Sequence, residues 1–163
     1  MKHVVEIDQS GKVEDTKEDT VLAFANGITF TILIPAIVKR KCVQILRENG
    51  LSPKIFYLQI FVVGLFFLLK DHIANMSHVI IDREYLGKDA DIKLYLMNYL
   101  RRRQYRVDSE QIHFGHIGKG SAAHSLAIDT LRKRKQPNRK LTLEDIFGEF
   151  GLLKKSGSPH KVG

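Results

Sequence analysis

Asp8 and Asp82 are the residues of this chain best placed to do chemistry, because each closes a short apolar run, "HVVEID" at 3–8 and "HVIID" at 78–82. A carboxylate at a strand end is held on a rigid rod. On parallel neighbouring strands the two acids would meet at one edge of a sheet. Hard divalent cations such as Mg2+ or Mn2+ take oxygen ligands in this arrangement, often one or two carboxylates plus substrate phosphate. Two such ions can clamp the attacking and leaving oxygens of phosphodiester cleavage. Glu84, two residues after Asp82, is a reserve ligand. The competing reading of Asp8, with Ser10 and Gly11 just behind it, is a turn former.

Charge points the same way. The chain of 163 residues carries a formal net charge of +8, which suits a nucleic-acid partner without requiring one. Two basic runs stand out, "RRRQYR" at 101–106 and "RKRKQPNRK" at 132–140. Either solvates a helix end, where cations are favoured, or neutralises phosphates with little sequence preference. The second reading assigns nucleic-acid contact to Arg132, Lys133, Arg134, Lys135, Arg139 and Lys140, with Lys119 in "GKGS" (118–121) meeting a phosphate near the acids. That loop lacks the full P-loop spacing, which argues against nucleotide hydrolysis of that type. His113 and His116 are three apart and do not share a strand face. Cys42 is the single cysteine, so an internal disulfide and a cysteine-rich zinc site are excluded, and a reducing, cytoplasmic setting is expected. With acids before any long apolar run, no signal peptide is expected.

The elements that must position these residues follow from pattern. Residues 3–8 read as a strand, 10–19 as a polar connection, and "TVLAFA" and "ITFTILI" as two strands joined by an Asn26-Gly27 hairpin. A helix follows Pro35 and stops at Gly50. Ser52 and Pro53 then cap and start an apolar helix. Its segment 55–69 would span about 22 Å, short of the ~30 Å hydrocarbon core, so a buried helix is expected and no membrane span. "HVIID" is a fourth, buried strand. A helix over 88–103 turns Ile92, Tyr95, Leu96, Tyr99 and Leu100 inward. "QIHFGHIG" is a fifth strand, and a helix capped by Ser121 ends before Pro137. A short helix over 141–153 and a mobile tail complete the chain. The result is an α/β protein with a five-stranded mixed sheet, an antiparallel meander then βαβ, with helices on both faces.

This order and three motifs resemble the ribonuclease H-like superfamily, over roughly residues 3–135. "IDQSG" is similar to the "IDESG" opening of one uncharacterised branch, "VIID" to the fourth-strand acid, and "AAHSLAI" to the last-helix pattern Ala-Ala-Asp-Ala-Leu-Ala of Holliday-junction resolvases. The resemblance implies a ribonuclease H-like domain over 1–136, a basic C-terminal extension over 137–163, and hydrolysis of phosphodiester bonds in DNA or RNA with Mg2+ or Mn2+. Asp8, Asp82 and a last-helix residue would carry the catalysis. Two positions depart from the pattern. Gln9 stands where the family has Glu, and His124 aligns with the last-helix acid. Asp129, the nearest carboxylate, lies about 140° around the helix from His124, so the two do not reach one metal together. Register favours His124 and the oxygen preference of magnesium favours Asp129. The alternative function is a nucleic-acid-binding or scaffold protein that keeps the fold with a degraded site. The oligomeric state stays open, a homodimer included.

Overall fold

Alternation along β1 (His3–Ser10) sets the two faces of the sheet. Val5 and Ile7 are buried on one side, while Glu6 and Asp8 point to the other. The structure, a computed structural model, describes residues 2–150. The expected end of the last helix and the tail, 151–163, lie outside the described residues.

β1 runs antiparallel to β2 (Thr20–Ala25), with Asp8 opposite Ala23, and parallel to β4 (Met76–Asp82), with Ile7 opposite Ile81. β3 (Phe30–Ile34) is antiparallel to β2, and β5 (Ile112–Gly115) is parallel to β4. The sheet has six strands rather than the expected five, in the order β5-β4-β1-β2-β3-β6. The addition, β6 (Arg139–Lys140), pairs with Ile32 and Leu33 and is too short to leave an alternating pattern in the sequence. The chain that follows buries Leu141, Ile146 and Phe147 in the main core, so residues 139–147 complete the sheet and its packing.

Helices cover both faces. α4 (Ala122–Leu131) lies on the Glu6–Asp8 side, where Ala127 packs with Val21, Ala23 and Leu33. The opposite face meets α2 (Pro53–Leu69), around which α1 (Ala36–Glu48), α3 (Asp89–Arg102) and α5 (Leu143–Phe150) gather. Ser52 caps α2 by accepting the Lys54 N–H, and Pro53 opens the helix. A Cβ at Gly64 would come within 2.8 Å of Leu22, so this glycine lets α2 cross β2 closely. No helix among the described residues is long and apolar enough to cross a membrane.

Three local expectations shift. The β2–β3 ladder closes at Phe24–Phe30, so the connection is longer than a two-residue turn, although Asn26 and Gly27 do take positive φ, 120° and 84°. On α3, Met97 is buried and Tyr95 is 38% exposed, because α2 meets the helix one position further round. β1 continues to Ser10, and the chain turns at Gly11, φ 80°.

Candidate metal centre

Asp8 and Asp82 meet because β1 and β4 are parallel neighbours in register. The pair Ile7–Ile81 places the next residue of each strand side by side on the same face. Glu84 follows on the chain leaving β4. One carboxylate oxygen from each of Asp8, Asp82 and Glu84 lies within 4.8 Å of the others.

Each acid is held differently. Asp8 is 4% exposed, and its Oδ1 accepts the Gln9 N–H at 2.8 Å. Its Oδ2 lies 2.7 Å from His124 Nδ1. Burial raises the Asp8 proton affinity, and the His124 hydrogen bond works against that rise. Asp82 Oδ1 accepts the Ile117 N–H at 2.7 Å, which ties the loop after β5 to the site. Much of Glu84 is open to solvent, yet its carboxyl is pushed up to about 7, by burial first and then by Asp82. Three acids therefore compete for one space.

α4 brings the fourth member. Ser121 caps the helix by accepting the Ala123 N–H and donates its own hydroxyl proton to Glu6 Oε1 at 2.8 Å. That contact pins the helix start to β1 and sets His124 over Asp8. Of the two last-helix candidates, the structure brings His124 to the acids and leaves Asp129 apart, paired with Arg134 at 3.3 Å. His124 touches Asp8 through Nδ1, so that nitrogen is engaged by the carboxylate.

The basic residues spread out. Lys119 is exposed in the loop before α4. Arg132, Lys133 and Lys135 are exposed at and past the helix end, and Arg132 lies about 12 Å along the axis from His124. Arg139 pairs with Asp145 at 3.1 Å and stacks over Phe67, and Lys140 is exposed on β6. His113 lies beside His78, ring centres 5.2 Å apart, and His116 is exposed.

Sequence reasoning missed Glu6 and Lys39. Glu6 was signalled by alternation, since it shares the face of Asp8. Lys39 is fully buried and donates to the Lys12 and Asp15 carbonyls and to Thr20 Oγ1, fastening the β1–β2 connection. Compared with protein-family models, curated proteins and solved structures, the chain has no match.

Proposed function

We infer that the protein is a metal-dependent, ribonuclease H-like hydrolase of phosphodiester bonds in nucleic acid. The observation that carries this reading is the convergence of Asp8, Asp82 and Glu84 within 4.8 Å on two parallel strand ends. The donors are all carboxylate oxygens, the set hard cations prefer. The crowding that lifts Glu84 to about 7 is relieved when a cation lies among the acids. Mg2+ or Mn2+ held by these three residues would supply an activated water and charge neutralisation at the phosphate. The meander followed by parallel β4 and β5, with helices on both faces, supports the same reading.

The chain's own residues orient the site. Gln9 N–H and His124 fix the Asp8 carboxylate, and Ile117 N–H fixes that of Asp82. With Nδ1 on Asp8, Nε2 of His124 is the ring atom left to accept or release a proton there. The net charge of +8 favours a polyanionic substrate.

A second reading, binding without cleavage, is favoured by one observation: the last-helix position holds His124, which commits a nitrogen to Asp8. Cleavage of single-stranded, duplex and branched DNA and RNA with Mg2+ or Mn2+ separates the two. Hydrolysis lost in Asp82→Asn supports the enzyme. Binding without hydrolysis, and no metal uptake by calorimetry, supports the binder.

A further inference from the structure

Four cations gather around a concavity that lies away from the acids. A cavity of about 1120 Å³ opens at the N-terminal ends of β1 and β4, where α2 and α3 also finish. Lys2, Lys70, Arg101 and Arg106 line it, opposed by Asp108. Asp108 directs its carboxylate to the backbone of the short turn at 109–111, and Lys70 is paired with exposed Asp71 at 2.9 Å.

Helix ends explain part of this charge. Lys70 caps α2, and Arg101 sits in the last turn of α3 and donates to the Val107 carbonyl. Both offset the negative ends of helix dipoles. Lys2 precedes β1 and Arg106 lies beyond α3, so neither serves a helix end. Both are exposed and have no ion-pair partner among the described residues. Two cations without an ion-pair partner among the described residues therefore line the same cavity.

We propose that this cavity is a nucleic-acid phosphate-binding site, in which Lys2 and Arg106, with Lys70, hold the backbone of the strand whose scissile bond reaches Asp8 and Asp82. The inference rests on the phosphodiester reading of the carboxylate site. From Met76 to Asp82 the strand rises about 20 Å. That distance covers about six nucleotide steps of one strand in a duplex, at ~3.4 Å of helix axis each. The cavity is too large for a lone phosphate and is more polar than apolar, which suits a hydrated backbone rather than an apolar ligand.

The test measures binding without chemistry. A fluorescent single-stranded DNA of about 20 nucleotides is titrated in EDTA over a range of salt. Affinity is followed by anisotropy, and its slope against salt counts the phosphates that the protein neutralises. Lys2→Ala and Arg106→Ala should each weaken binding about fivefold at 0.1 M salt and flatten the slope by about 0.7, the worth of one single-strand phosphate contact. Arg106→Lys should restore most of the loss, and unchanged thermal melting should show that the variants fold. Wild-type affinity in both variants, with loss confined to Lys133→Ala and Lys135→Ala, overturns this site and leaves the phosphodiester reading standing. Loss of binding to phosphatidylglycerol vesicles with DNA affinity intact also overturns it, in favour of a lipid surface. If wild type binds no DNA or RNA at low salt, both readings fall.

Discussion

Replacing Asp82 with Asn should make the protein more stable without metal and less stable with it. Asn keeps the Oδ1 that accepts the Ile117 N–H, so the loop contact at 2.7 Å survives while the charge goes. At pH 8, above the value of about 7 to which Glu84 is raised, the Glu84 carboxylate adds its charge to the site. For oxygens at most 4.8 Å apart, one pair repels by about 3.5 kcal/mol at an effective dielectric of 20 and about 0.9 kcal/mol in water. Glu84 is solvent-exposed and Asp82 is only half-buried, so the lower value applies to both pairs that Asp82 makes and the relief comes to about 2 kcal/mol. For a chain of this size that raises Tm by about 4–8 °C. With Mn2+ at about 100 times its Kd, wild type gains about 2.7 kcal/mol, and a variant with a broken ligand set gains little. Thermal melting in EDTA and in Mn2+ should therefore show the two proteins exchanging rank. At pH 5.5, with Glu84 protonated, the advantage of the variant in EDTA should shrink. A variant less stable than wild type in EDTA, or a wild type whose Tm ignores Mn2+ and Mg2+, would refute the account of the acids as a crowded cation site.

Three other outcomes follow from the same structure. Burial lowers Lys39 to about 8 from 10.5, so the unfolded chain binds more protons between those values and the contribution of Lys39 to stability rises as pH climbs from about 8 to 10.5. Urea melts across that window should show wild type gaining on Lys39→Met, and a constant gap would contradict it. Gly11→Ala should destabilise by about 2 kcal/mol or more, since φ is 80° and the new Cβ would strike the Asp19 carbonyl, and chemical denaturation would show this as a lower midpoint. His124→Asp should lower stability in EDTA by adding a like charge beside Asp8 and enlarge the Mn2+-induced rise in Tm, both readable by calorimetry.

What could be read in advance was governed by period and by strand ends. Asp8 and Asp82 each close an apolar run, and a parallel crossover is enough to make them neighbours. The choice between His124 and Asp129 was not legible. The helical angle says that they diverge, and the seating of α4 on the sheet, with Ser121 on Glu6 and Ala123 and Ala127 buried, decides which one faces β1. β6 was hidden because two residues carry no alternation. Lys39 lies three residues after buried Ala36 and three before buried Cys42, a position that does signal the inner stripe of α1. What makes a lysine acceptable there is a pair of loop carbonyls arriving from 24 and 27 residues away in sequence, which no local pattern encodes.

The position of Asp8 within its strand separates its two readings. A turn former belongs where the chain reverses, and here the reversal falls on Gly11, whose positive φ an Asp is not needed to support. On the β2 side Asp8 is still inside the ladder, opposite Ala23, with Ser10 pairing Val21 beyond it. On the β4 side the ladder ends at Ile7–Ile81, so the carboxylate is released toward Asp82 at the one edge where the strands part. A nearly buried acid in that place raises the energy of its own charged form, and a neutral residue of similar shape would avoid that penalty. The site places two further acids beside it and engages Gln9 N–H, Ile117 N–H and His124 in keeping them aimed. Repulsion of that kind, held in place by dedicated donors, favours the proposal that Asp8 serves a cation over its reading as a turn former.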